Sequence, residues 1–535
     1  MIKIPQAISQ RLSIKKNNAK SKEETPLQRY IYTLISIVGR TGLAVITTII
    51  VPRAIGPSAV GTFAFGQIIV QNIRGVLDFN IGSTFFNLSA SKHQSGGITR
   101  IFGKILFSQI IISVIILILL CFTNYGNKII QGTPFLVLIL LLGIEWALYL
   151  TNLSNQLSDA KGISKWPQML ILISNLIMTL VIIALALMKS LTLYTYLITT
   201  FTFGILSCIS IMIFLYQTNY DSIWMKVDKE NLKSLLKTTL KISLPLTIAS
   251  YLGMGIEFFE RFLIQYKYGP EEQSYYYIAA KWAAIIIILS SSSLQIFWQS
   301  LVKTIAAGDI KKAGGIYRRL DGLLFYVIVT LALIWSFMGK EMLSFLLGKE
   351  FENAGKILVV MAFYPVSQVF GQMGTTIAIA SERSKEYLIA TAITATIGFV
   401  VSYFLLVPKD SYIPGLELGS FGLAIKTAIF GLIAVQPITY LNCRYLSISY
   451  SELIFQKIKT FLCLFVILLI LNELGKFLLP FMPIIVASII KAIFFLFAAG
   501  ILLFIRPVFC GVDKNDVDKI KYNPLFLRIV NLYRK

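Results

Sequence analysis

Ile55-Gly56-Pro57-Ser58, followed by Thr62-Phe63-Ala64, and Tyr268-Gly269-Pro270-Glu271, followed by Tyr275-Tyr276-Tyr277, are two versions of one pattern. Each is a Gly-Pro pair, a natural turn signal, running into the start of an aromatic-rich apolar stretch. Each stands after the opening apolar run of one part of the chain. Recurrence at so long a spacing points to an internal repeat. The pattern predicts two bundles of six helices, residues 30–216 and 242–441, joined by a basic linker 217–241. A loop 442–458 and two further apolar runs within 459–506 follow, flanked by a basic arm 1–29 and a basic tail 507–535.

Composition says what kind of helices these are. Apolar residues make up 56% of the 535 positions and charged residues 14%, with a mean hydropathy of +0.75. Soluble proteins carry about 25% charged residues. The apolar residues come in blocks of roughly 20, the length that crosses a hydrocarbon core of about 30 Å. The expected fold is therefore all-α: a polytopic integral membrane protein of about fourteen spans.

Charge orients it. The 49 Lys and Arg against 26 Asp and Glu give a formal +23, and most of the basic residues fall in the arm, the linker, the tail and alternate loops. Positive charge gathers on the cytoplasmic side of membrane proteins, so both termini are expected in the cytoplasm of a plasma (cell inner) membrane protein. The basic excess then reflects topology, and nucleic-acid binding is not needed to explain it. In the arm, Ile4, Ile8 and Leu12 recur at helical spacing among Arg11, Lys15 and Lys16, as in a helix on an anionic leaflet or in a solvated tail. Cys121, Cys208, Cys443, Cys463 and Cys510 form no Cys-x-x-Cys pair, and His93, the single histidine, sits in a polar loop. Neither a metal site nor a cofactor is expected. The absence of a G-x-x-x-x-G-K-[ST] loop leaves no nucleotide-hydrolysing module of its own, and the chain reads as a transporter and not an enzyme.

Ten ionisable residues lie inside predicted spans: Arg40, Arg74, Asp78, Glu145, Glu257, Glu260, Arg261, Lys281, Lys426 and Lys491. A charge at mid-bilayer costs on the order of 3 kcal/mol, so such groups face protein or water. Arg74 and Asp78, like Glu257 and Arg261, are spaced i, i+4 and share a helix face; each pair either neutralises itself or serves a substrate. Arg40 has no acid within four positions, so its partner is Glu145 at similar depth or a bound anion, for which a guanidinium fork is suited. Arg40, Arg74, Arg261 and Lys281 are the expected substrate contacts, with Asp78, Glu145, Glu257 and Glu260 as supporting ion pairs. Lys426 and Lys491 lie in the outer third of their spans and are expected to reach the interface. Pro245, Gly253 and Gly255, and Pro365 with Gln368 and Gln372, mark helices that bend around a cavity or are simply common membrane-helix residues.

The stretch from Val51 through Pro57 to Ala64 resembles the first outer turn and second-span start of the polysaccharide (O-antigen) flippases. These belong to the multidrug/oligosaccharidyl-lipid/polysaccharide exporter superfamily. Leu77-Asp78-Phe79-Asn80-Ile81-Gly82 is similar to the acidic-then-glycine close of that family's second span. Pro245 through Glu260-Arg261-Phe262-Leu263 repeats the likeness, with Glu260 where the family has aspartate. Leu347-Gly348-Lys349-Glu350-Phe351, Gly371-Gln372 and Gly419-Ser420-Phe421-Gly422 fit its later spans.

The resemblance implies a flippase for a lipid-linked oligosaccharide, with two pseudosymmetric lobes around a central cavity. Its head would bind there while the prenyl tail stays in lipid, and rocking lobes would expose the cavity to each leaflet in turn. Membrane lipids and the lipid-linked oligosaccharide are the expected partners of a monomer, with polysaccharide-assembly proteins as candidates. Two other readings compete. A cation-coupled multidrug exporter of the same superfamily predicts an acid-dominated cavity, against six basic and four acidic in-span residues here. A membrane-embedded polysaccharide polymerase predicts a large outer loop.

Overall fold

A computed structural model of the chain describes residues 26–78, 95–160, 163–217, 229–478 and 482–506. Nearly all of the basic arm, part of the linker, the tail, the Phe79–Gly82 end of one motif and His93 lie outside the described residues. Those residues form helices and no strand. In chain order they are α1 (Pro26–Asp78), α2 (Ser95–Phe122), α3 (Asn124–Ile130), α4 (Phe135–Ala160), α5 (Lys165–Leu187), α6 (Leu193–Gln217) and α7 (Lys229–Ala306). Then come α8 (Ile310–Leu347), α9 (Glu352–Met361), α10 (Tyr364–Ala380), α11 (Ser384–Leu406), α12 (Gly419–Tyr445), α13 (Tyr450–Leu478) and α14 (Ile484–Ile505).

The repeated Gly-Pro signal is a repeated backbone event. α1 (53 residues) and α7 (78 residues) are each far longer than one crossing requires. Each is interrupted by one non-helical residue: Gly56 at φ 79°, ψ 168°, and Gly269 at φ 84°, ψ −177°. Positive φ with extended ψ is open to glycine and strained for other residues. The following proline supplies no N–H and starts the next arm without loss. Ten described helices are long and apolar enough to cross a membrane, eleven with the bent α9–α10 pair counted as one. The fourteen crossings expected from sequence would require both arms of α1 and of α7 to count, and α7 is not among those helices.

Two expectations about bends shift. Pro245, Gly253 and Gly255 lie in α7 without any helix break, whereas the predicted tenth span is bent by 46° after Met361, where α10 restarts with Pro365 in its first turn. Proline lacks an N–H and is tolerated in a first helical turn, so the chain breaks before it. α12 contains a five-residue π-turn, Lys426–Phe430, in which the Gly431 N–H reaches back to the Lys426 carbonyl. Glu272, just after the second Gly-Pro turn, seats the start of α12 by accepting hydrogen bonds from the Ser420 N–H at 3.2 Å and the Ser420 hydroxyl. Nearby, the Tyr268 hydroxyl donates to the Leu406 carbonyl at the end of α11, 2.6 Å away. The start of α12 and the end of α11 therefore lie at the Gly-Pro end of the molecule.

Packing forms two lobes. One core gathers Phe65, Leu117, Leu138, Leu142 and Leu197 from α1, α2, α4 and α6. The other gathers Tyr317, Leu333, Phe370 and Met373 from α8 and α10, and extends to Leu464 of α13 and Phe495 of α14. Outward-facing residues such as Ile118, Leu119, Ile493 and Phe497 are apolar and exposed, as suits a surface solvated by lipid tails. The lobes meet mainly where α1 lies against α7. At the Gly-Pro end a Cβ on Gly61 would sit 1.7 Å from the Pro270 carbonyl oxygen, so backbone touches backbone. Four turns away along α1, Gly75 leaves room for Met254, and the Tyr251 hydroxyl donates to the Val76 carbonyl at 2.8 Å.

Candidate functional site

Between those two contacts the second arm of α1 turns Ala64, Gln67, Ile68 and Gln71 toward a cavity of about 630 Å³. Its other walls come from α7, α10, α11 and α12, with Met361 at the end of α9. Every charged group on the wall belongs to the second lobe: Glu257, Glu260 and Arg261 on the first arm of α7, Lys281 on its second, and Lys426 on α12. Three cations face two carboxylates. They sit toward the Gly-Pro end, whereas the opposite end is lined by uncharged Tyr387, Thr391, Thr394 and Gln368. The chamber thus offers a cationic region continuous with a region of hydroxyl and amide groups.

Arg261 is 5% exposed. Its guanidinium lies over the Tyr276 ring, 4.6 Å from the centroid, and its Nη1 has no hydrogen-bond partner. The expected Glu257–Arg261 ion pair does not form within 4.0 Å among the described residues. A buried guanidinium held on a ring face and short of an acceptor is poised for an anion. Lys281 is held similarly, 5.2 Å from the Tyr277 centroid. Lys281 and Tyr277 also line a second cavity of about 350 Å³ between the first arm of α1 and the second arm of α7, with Thr41, Thr48 and Phe63.

Glu260 is differently occupied. Lys426 places Nζ 2.5 Å from its Oε1, and the Ser402 hydroxyl also contacts it. Lys426 was expected at the interface; instead it faces the chamber. Gly398 of α11 leaves space beside it, since a Cβ there would lie 3.6 Å from the Lys426 side chain. Lys491 reaches Asn472 Oδ1 at 3.1 Å, between α13 and α14.

Arg74 and Arg40 lie outside the chamber wall. Arg74 is enclosed by carboxylates: Nε is 2.8 Å from Glu145 Oε1 and a terminal nitrogen 3.7 Å from Asp78 Oδ2. The Tyr149 ring lies 4.8 Å beneath it, and the Tyr149 hydroxyl donates to Asp78 Oδ1 at 2.6 Å. This cluster ties α4 to α1. Glu145 is consequently not the partner of Arg40, whose guanidinium donates to the Ser36 carbonyl and to Gln168 Oε1, each at 3.2 Å. Both acceptors are neutral, and among the described residues no acid pairs with that cation, which lies at the α1–α5 contact. One buried pair was not anticipated: Lys457 of α13 lies 2.8 Å from Asp321 Oδ1 of α8 and 3.9 Å from the Phe370 ring centroid. Among the described residues no cluster of three or more His, Cys, Asp or Glu is arranged to hold a metal.

The profile of the family described as "Polysaccharide biosynthesis protein" matches residues 27–298, half of the chain and both Gly-Pro turns. The chain belongs to this family. No curated protein matches it in sequence. Among solved structures, the lipid II flippase MurJ in an inward closed conformation superposes with a TM-score of 0.61 at 14% identity, over 90% of this chain and 99% of that one. A multidrug/oligosaccharidyl-lipid/polysaccharide superfamily transporter from Pyrococcus furiosus, described by the reversed polarity of its binding pocket, matches with a TM-score of 0.52 at 14% identity, over 78% and 94%. An outward-facing multidrug transporter of the same superfamily gives 0.51 at 13% identity, over 79% and 97%. The polysaccharide-biosynthesis chain described here therefore has the two-lobed fold of that superfamily.

Proposed function

We propose that this protein is a flippase that moves a polyprenyl-diphosphate-linked oligosaccharide across the cytoplasmic membrane by alternating access, for polysaccharide or O-antigen export. The observation that carries the reading is Arg261: a buried cation, facing the chamber, with an Nη1 that no protein group satisfies. Lys281 adds a second cation without an ion pair among the described residues. Diphosphate oxygens would complete both, and the chamber volume is within the usual range of small-molecule sites. Sugar hydroxyls would meet the amides and hydroxyls of Gln67, Gln71, Gln368 and Thr391. The prenyl tail would stay in lipid, where its transfer costs nothing.

Family membership and the MurJ-like fold support this reading, and so does the sign of the chamber. A multidrug exporter for cationic drugs needs free carboxylates. Here Glu260 is already engaged by Lys426, which leaves Glu257 as the one wall carboxylate without an ion pair among the described residues, set against Arg261 and Lys281, so the wall carries more cation than acid. Arg74 enters as a strut between α1 and α4, and Arg40 as a cation at the α1–α5 contact; neither is assigned to the substrate. Both termini are taken to be cytoplasmic, which puts the Gly-Pro turns on the far side. Mass analysis of lipid co-purifying with the protein tests the proposal. A polyprenyl-diphosphate sugar is expected, released when Arg261 is replaced by Gln; a small cationic compound in its place would reverse the assignment.

A further inference from the structure

Lys426 sits at a place where three unusual features meet. Its amine is salt-bridged to Glu260, whose side chain is only 5% exposed, on the chamber wall. It begins the π-turn of α12, a local misfit that proteins keep mostly where it serves function. And it is connected to the unpartnered Arg261: that guanidinium lies over Tyr276, whose hydroxyl is 3.0 Å from the hydroxyl of Thr427, the residue after Lys426. Gly398 on α11 makes room at the turn, since a Cβ there would meet the Phe430 ring at 2.8 Å.

We propose that Lys426 is an exchangeable third ligand for the diphosphate, held in reserve by Glu260 while the chamber is empty and handed to the substrate when it loads. This rests on the flippase reading above and adds to it a residue and a competition. A phosphate oxygen bound to Arg261 is an anion placed on the same wall as Lys426, and an ammonium has three donors to distribute. Glu260 and the phosphate are rivals for it. When the amine leaves, Glu260 keeps the Ser402 hydroxyl, which is already in contact with it. The carboxylate is not orphaned, and this makes the exchange inexpensive. The π-turn is the element that feels the transfer, because its first residue is the one that moves. Loading and the shape of α12 are thereby linked, and α12 is seated at the lobe-contact end through Ser420 and Glu272.

The exchange predicts opposite signs for two neutralising substitutions. In purified full-length protein, binding of farnesyl diphosphate is measured by tryptophan quenching, with farnesol as the control for tail binding. Lys426→Gln should weaken the diphosphate about tenfold. Glu260→Gln removes the rival and should tighten it severalfold, with farnesol binding unchanged in both. Lys426→Arg should retain most of the wild-type affinity. A structural ion pair alone would have Glu260→Gln and Lys426→Gln weaken binding alike, with the double variant recovering it; that pattern overturns the exchange and leaves the flippase reading standing. Should either single variant fold poorly, Glu260→Gln/Lys426→Gln keeps the comparison: the exchange expects it to bind as weakly as Lys426→Gln, and wild-type affinity contradicts it. Wild-type protein that binds farnesyl diphosphate no better than farnesol brings down both proposals.

Discussion

Arg74, on the second arm of α1, and Arg261, on the first arm of α7, each stand one turn from an acid on their own helix, and they do opposite things. Arg74 has two carboxylates and a tyrosine around it. Replacing it with Gln strands Glu145 and Asp78 and should cost about 3 kcal/mol, the usual range for breaking a partly buried pair, read as a fall in thermal midpoint. Arg261→Gln breaks no ion pair, so the midpoint should hold while glycan export, at matched protein level, drops at least tenfold. The reverse pattern for the two variants would exchange their roles. Sequence exposed both residues, because a charge inside an apolar run is conspicuous. It did not show which would be satisfied: Glu145 lies 71 positions from Arg74, and Tyr149 lies 71 positions from Asp78. Lys426 was misplaced for a related reason. A lysine a third of the way into a span can reach the interface or a cavity, and only the neighbouring helix decides.

At the scale of elements, α13 and α14 are joined to the second lobe by more than apolar packing. Lys457 reaches the 1%-exposed Asp321 across the α8–α13 contact. Lys457→Met should therefore destabilise the protein by about 3 kcal/mol, and adding Asp321→Leu should recover most of it, because a well-packed apolar pair replaces a buried ion pair at little cost. A double-mutant cycle in thermal unfolding checks this, and additive losses would contradict it. The helix breaks can be challenged too. Gly269→Ala forces a Cβ into a positive φ and should cost about 1–2 kcal/mol, although nothing lies within 4 Å to clash with it. The Gly-Pro turns were legible because the residue pair itself carries the conformational requirement. The break after Met361 was legible only in part: Pro365 announces a discontinuity, but its placement depends on how α9 packs beneath α8. The π-turn left no signature, since Lys426-Thr427-Ala428-Ile429-Phe430 is an unremarkable helical stretch in which nothing marks an extra residue per turn.

Over the whole molecule, the lobes touch at both ends of one α1 arm and part between them. If the Tyr251–Val76 end opens during transport, joining cysteines placed at 76 and 251 with a short bis-methanethiosulfonate should form a bridge that stops export and is relieved by reductant. Undiminished export with the bridge formed would show that this end does not move. The charge distribution predicts that thiol reagents added to intact cells label a cysteine at Ser58 but not one at Lys385, and the opposite result would invert the orientation. The overall architecture was readable from apolar run length and the repeated turn; the chamber was not, because its walls are drawn from six helices scattered along the chain. Those walls are unequal, since one lobe supplies all the charge and the other only amides and small apolar groups. Substrate preference should therefore be heritable mostly as a block: grafting residues 242–441 from a relative with a different cargo onto this N-terminal half should carry most of the relative's preference with it, whereas the reciprocal graft, which among the polar wall groups replaces Gln67 and Gln71, should shift it less.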